Sequence, residues 1–149
     1  MRVGAEGWKN VLRSESLADG VTRLSSEKGS VAYSFPQPDV VLARYSGVLT
    51  AELYTGAVEI MARRLAVRPT LRMFADLGDI SDYDAGFREG WAGWFRAHRQ
   101  SIGELHVLFR SRLVGIGLTV IGVATGGRIH TYSDRAAFER GVPRAPAQP

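Results

Sequence analysis

The sequence predicts a single α/β domain with a mixed, mostly parallel β-sheet, an opening hairpin and about four helices. Three observations carry this. Two strand-period runs flank the turn Pro36-Gln37-Pro38-Asp39. From Thr50 onward, amphipathic helical stripes alternate with short apolar runs, and such alternation joins parallel strands through crossover helices. The chain has 149 residues, of which 45% are hydrophobic and 23% charged. A chain of that size buries roughly 70% of the surface it exposes unfolded, so one core suffices.

Residues 1–29 mix Gly, Ser, Glu and Lys with scattered Val11, Leu12, Leu17, Val21 and Leu24, which predicts a loosely attached arm with at most one short element. Val31, Tyr33 and Phe35 then alternate with period two, and Val40 to Tyr45 supplies the second β-branched run, ending at Gly47. This predicts a hairpin. Thr50 is a candidate N-cap, Glu52 suits the positive helix end, and Leu53, Ala57, Ile60, Met61 and Leu65 make one helical stripe. Arg68-Pro69 stops it.

Leu71 to Phe74 predicts a buried strand closing on Asp76, followed by an acidic surface loop over 76–84. Phe87, Trp91, Trp94, Phe95 and His98 recur at helical spacing with Arg88, Glu89, Arg96 and Arg99 off the stripe, so a second helix packs its aromatic side on the sheet. Leu105 to Phe109 reads as the next strand. The stretch 111–127 fits either a hairpin or a helix ending near Thr125 before Gly126-Gly127, and periodicity does not decide between them. Arg128 to Tyr132 is a last strand, Asp134 caps a short helix with Ala136, Ala137 and Phe138, and 141–149 form a flexible Pro/Ala tail.

The composition removes several function classes. There are no cysteines, so disulfide frameworks, thiolate metal sites and cysteine nucleophiles are excluded, and a cytoplasmic location is the simplest expectation. The net charge is +4 with a pI near 9.8, and of the 19 basic residues only Lys9 and Lys28 are not Arg. These arginines are spread along the chain without the cationic runs of nucleic-acid tails, so no nucleic-acid partner is expected. Met1 to Asn10 lacks an apolar core and does not read as a secretory signal. The longest apolar run, 113–125, is too short for the roughly 20 residues of a membrane span.

Several segments resemble the STAS superfamily, and within it the SpoIIAA-like branch common in bacteria: Pro38-Asp39-Val40-Val41, Ser46-Gly47-Val48-Leu49-Thr50, Asp76-Leu77, Gly126-Gly127-Arg128-Ile129 and Tyr132-Ser133-Asp134-Arg135-Ala136-Ala137-Phe138. The resemblance covers about residues 30–140 and rests on turns and caps. It implies that 111–127 hold a helix between the last two strands. It also implies a small non-catalytic module that binds a partner protein, sometimes a nucleotide or an apolar ligand, and is sometimes phosphorylated. In the anti-sigma-factor antagonists of the family the switch residue opens the helix after the central strand's Asp; here Ser81 is the hydroxyl in that neighbourhood, without the Asp-Ser-Ser-Gly pattern. A phosphate there would meet Asp76, Asp79, Asp82 and Asp84.

No residue is assigned a catalytic role, and no metal or cofactor is assigned. The acidic set does not match a calcium loop; Asp84 reads instead as the cap of the second helix. None of the three histidines has a sequence partner at metal-ligand spacing, and Gly115-Ile116-Gly117 followed by Gly122 misses the dinucleotide pattern. Phe87, Trp91, Trp94 and His98 are read as core whose outer members rim a ligand pocket or an interface. Leu113, Ile116, Gly117, Val120 and Ile121 belong to a helix with almost no polar face, which one sheet cannot cover alone. They are the expected self-association or partner surface. The expected function is thus a non-enzymatic interaction module acting on a protein partner or as a homo-oligomer; the alternative is a carrier of a small apolar or lipid-like ligand, as related Sec14-like folds imply.

Overall fold

A computed structural model describes residues 12–144, with the side chains of Asp19, Leu113, Ile116, Leu118, Val120, Val123 and Ala124 outside the description. The alternation around Val31 and Tyr33 and the β-branched run after Asp39 make the predicted hairpin, β3 (Gly29–Gln37) with β4 (Val40–Leu49). Before them come β1 (Arg13–Ser16) and β2 (Thr22–Ser25). Four further elements alternate as predicted: α1 (Ala51–Val67), β5 (Leu71–Tyr83), α2 (Ala85–Ala97) and β6 (Ile102–Leu108). The chain ends in α3 (Arg112–Ala124), β7 (Ile129–Tyr132) and α4 (Arg135–Gly141). Three helices are thus 13 to 17 residues long, and the last has only 7.

The seven strands pair in chain order, β1 through β7. The pairings among β1 to β4 are antiparallel, and those among β4 to β7 are parallel. The sheet is mixed but not mostly parallel, because residues 13–25 form two strands rather than an arm with at most one element. β1 is exposed throughout and carries no apolar alternation, so its pairing rests on backbone hydrogen bonds that leave no hydrophobic pattern. Leu24 on β2, by contrast, opposes Val31 and is buried.

The acidic segment after Asp76 is also strand. β5 runs through it to Tyr83, pairing with Ser46 to Leu49 of β4. Two register shifts in that ladder, after Arg44 and after Gly47, disturb the period-two alternation, so the apolar residues of the extension fall at Leu77, Ile80 and Tyr83 and look like loop residues. Gly47 sits at φ +77, where an added Cβ would lie 2.9 Å from Gly29 Cα. That left-handed position favours glycine, and its register partner Gly29 is as tightly held, since a Cβ there would run into the Val48 carbonyl oxygen.

Side chains alternate across the sheet. Val41, Ala43, Tyr45, Met73, Leu105 and Val107 face α1, α2 and Val114 of α3 in the main core. Val40, Leu42, Phe74 and Leu108 face the other way, where Phe138 and Val142 cover them. The α1 stripe buries Leu53, Ala57, Ile60 and Met61, and the α2 stripe buries Phe87, Trp91, Ala92, Trp94 and Phe95. The ambiguous stretch is a helix, closed by Gly126 at φ +73 and Gly127 at φ +84, a left-handed ending suited to glycine.

One carboxylate caps two helices. Asp84 Oδ1 accepts the Phe87 N–H at 2.7 Å, as the sequence predicts, and its Oδ2 accepts the Ala51 N–H at 3.3 Å. Thr50 occupies the N-cap position of α1 without a side-chain cap bond. Gly86 permits the close approach of the two helix starts, since a Cβ there would fall 2.8 Å from that of Ala51.

Candidate functional site

Two groups of residues on opposite faces of the sheet are candidates. On the helix face, β4 to β6, α2 and α3 border two small, partly open apolar pockets. One, of about 40 Å³, is lined by Tyr45, Met73, Leu77, Phe87, Trp91 and Ile121 among others. The other, of about 30 Å³, lies between Leu49, Ile80, Tyr83, Val114 and Gly117. Leu77, Phe87 and Ile121 border both, so these three side chains form the partition. Each has room for roughly two or three water-sized spheres, and its apolar walls offer water no hydrogen-bond partner.

The residues expected at a pocket rim or interface divide. Phe87 and Trp91 line the cavity; Trp94 and His98 do not. Trp94 is buried and stacks on His98 with centroids 4.2 Å apart at 20°, and His98 Nδ1 lies 2.9 Å from the Trp94 carbonyl oxygen at the helix end. Trp91 stands edge-on to Tyr54 and Trp94, and its buried Nε1–H has no acceptor among the described residues, a costly omission in a core. Of the residues expected to self-associate, Gly117 is buried against its own chain, where a Cβ would fall 2.7 Å from the Tyr83 hydroxyl oxygen. Ile121 packs on the main core. Leu113, Ile116 and Val120 lie outside the described side chains. Ser81 is exposed on β5, three residues before the Asp84 cap, not at a helix start, so a phosphate there would gain nothing from the α2 dipole.

On the other face, charges enter the strands. Asp76 is the register partner of Arg44 and is buried, with only 4% of its side chain exposed. It accepts from Arg135 Nη1 at 2.6 Å and Nη2 at 3.2 Å, from Arg44 Nη1 at 2.8 Å and from the Gly78 N–H at 3.0 Å. Burial alone would raise its pKa, but the hydrogen bonds from Arg135, Gly78 and Arg44 and the charge of Arg135 outweigh burial and hold it below the usual carboxylate value. Arg44 continues to Glu139, with Nη2 at 2.7 and 2.9 Å from the two carboxylate oxygens. The network ties α4 to the centre of the sheet. Asp76, with four donors, has no lone pair free for a reacting group.

Beside it, Arg72, Glu104, His106, His130 and Tyr132 line the same face. His106 lies flat between Phe74, with centroids 4.3 Å apart at 8°, and His130, at 4.5 Å and 16°. Its Nδ1 is 2.7 Å from the Tyr132 hydroxyl and its Nε2 is 3.3 Å from Glu104 Oε2. Burial, ahead of the opposing hydrogen bond that the imidazole donates to Glu104, lowers the His106 pKa from 6.5. Sequence spacing hid this group because its members come from two strands; the register pair His106 and His130 makes them neighbours.

No protein-family model matches the chain, and no curated protein is similar to it. Among solved structures, the chain resembles that of an uncharacterized protein of the DUF3478 family from Shewanella loihica PV-4, described as having a SpoIIAA-like fold. The TM-score is 0.61 at 15% identity, covering 80% of this chain and 98% of that one. The chain therefore has a SpoIIAA-like α/β fold, as the turns and caps of its sequence imply.

Proposed function

We propose that the protein is a non-enzymatic interaction module that works through α3, in the first place by associating with a second copy of itself. The observation that supports this is the make-up of α3. From 113 to 127 the chain has no charged residue. Among its described positions Val114, Gly117 and Gly122 are buried, as is Thr125 just past its end, while Thr119 is exposed. A thirteen-residue helix whose only charge is Arg112 at its first position, with twelve uncharged residues after it, is poorly suited to face water on all sides. Against an enzymatic role stands Asp76, the most buried carboxylate described, whose oxygens are fully engaged by Arg44, Arg135 and Gly78.

Light scattering at rising concentration tests this reading. A dimer or larger species is expected for the wild type and a monomer for Ile116→Asp or Val120→Asp; a wild type that stays monomeric at high concentration overturns self-association.

The cavities favour a second reading, a carrier of a small apolar ligand. Their walls are almost wholly apolar and include Phe87 and Trp91, but their size admits a lipid-like chain only if α3 moves off the sheet. Added mass in native mass spectrometry and a change in Trp fluorescence on lipid titration are expected from a carrier. An empty protein indifferent to lipid excludes it.

A further inference from the structure

We propose that Glu104, His106 and His130 form a binding site for one divalent transition-metal ion of the zinc class. Two imidazoles and one carboxylate are a donor set that suits zinc and its neighbours better than calcium or magnesium, which take oxygen. The three side chains share one sheet face: Glu104 and His106 are two apart on β6, and His130 is the register partner of His106 on β7. One donor atom from each lies within 4.8 Å of the others.

Two of the three donor separations fit a tetrahedral ion. Ligand atoms at 2.0–2.1 Å from zinc are separated by about 3.4 Å from each other. Glu104 Oε2 stands 3.3 Å from His106 Nε2 and 3.7 Å from His130 Nε2, so two of the three edges are already near that length. The third closes only if the His130 ring turns out of its stack on His106, a motion open to a side chain that is 54% exposed, whereas that of His106 is 12% exposed and held in place. Phe74 packs on the free face of the His106 ring, and the Tyr132 hydroxyl engages Nδ1. The Tyr132 hydroxyl can either donate or accept at Nδ1; when an ion displaces the Nε2 proton now shared with Glu104, it would accept the Nδ1 proton, the usual outer-shell arrangement of a ligating histidine.

The surrounding charge permits a cation. Arg72 is the nearby positive group, and it is engaged by Asp39 at 3.3 Å and Gln37 at 3.4 Å. Three protein ligands leave a fourth position for water or for an atom of another molecule. The site lies on the sheet face opposite α1 to α3, so its existence is independent of the function proposed for α3.

The test is a zinc titration of untagged, chelator-stripped protein by calorimetry and by competition with a chromophoric chelator. One equivalent is expected to bind, with imidazole resonances of His106 and His130 shifting and that of His98 unmoved. Both His130 and Glu104 are exposed enough for His130→Ala and Glu104→Ala to fold, checked by circular dichroism, and each is expected to weaken zinc by about tenfold or more, with Tyr132→Phe weakening it by about tenfold through His106. His98→Ala is expected to bind as the wild type does. Zinc binding no tighter in the wild type than in the His130→Ala/Glu104→Ala double variant overturns the proposal.

Discussion

Arg135 grips Asp76 through both terminal nitrogens, at 2.6 and 3.2 Å, joining the first turn of α4 to the buried middle of β5. Asp76→Asn keeps the shape but removes the charge that two guanidinium groups solvate. It is expected to cost about 1–3 kcal/mol at pH 7, read by urea unfolding. The pH dependence has a definite sign. The folded carboxyl titrates below its ordinary value of 3.8, so its stabilisation is complete above that value and is lost as the pH falls beneath it. The stability gap between wild type and Asp76→Asn should therefore narrow progressively as the pH falls below 3.8; a gap that stays unchanged on acidification contradicts the assignment.

The hydroxyls of Tyr33 and Tyr45 meet in the core, 3.3 Å apart. Burial raises the pKa of both, that of Tyr45 to about 12. Tyr45→Phe or Tyr33→Phe leaves one buried hydroxyl alone and should cost about 1–3 kcal/mol, whereas the double Phe variant should recover most of that loss. A strictly additive cycle would show that the pair contributes nothing as a pair.

Asp84 terminates two helices at once. Asp84→Ala should cost about 1–2 kcal/mol or somewhat more than one cap, and hydrogen exchange should quicken at both the Ala51 and the Phe87 amides. Faster exchange at Phe87 alone would mean that the 3.3 Å bond to Ala51 is of no consequence.

Phe87 borders both apolar cavities and stands edge-on to Tyr45, with centroids 5.8 Å apart. Phe87→Ala should merge the two spaces and cost about 3–5 kcal/mol. The enlarged cavity should take up benzene or xenon, detectable as a rise in melting temperature on adding the probe. Destabilisation without any probe binding would mean that the helices collapse onto the gap.

Most of the helical architecture was legible because it rests on local signals. Leu53 to Met61 and Phe87 to Phe95 show one apolar face each, and Asp84 and Asp134 sit where their helices need caps. The missed elements lack such signals. β1 has no buried side chain to leave a pattern, and the extension of β5 past Asp76 carries two register shifts that scramble the alternation. The site on the open face was illegible for another reason. Arg44, Asp76 and Arg135, or Glu104, His106 and His130, are brought together only by strand register, and register is a long-range property that no spacing in one segment reports. A charged residue inside an apolar strand run, as at Arg44 and Asp76, was the available hint.

Because the strands stand in the sheet in the same order as in the chain, no strand has to be threaded between two that are already joined. As the polypeptide leaves the ribosome, every new strand can dock on the one just made, and the growing rim of the sheet is always the youngest segment. Assembly from the amino end forward is open to this fold, and the vulnerable unpaired rim is short-lived at each stage.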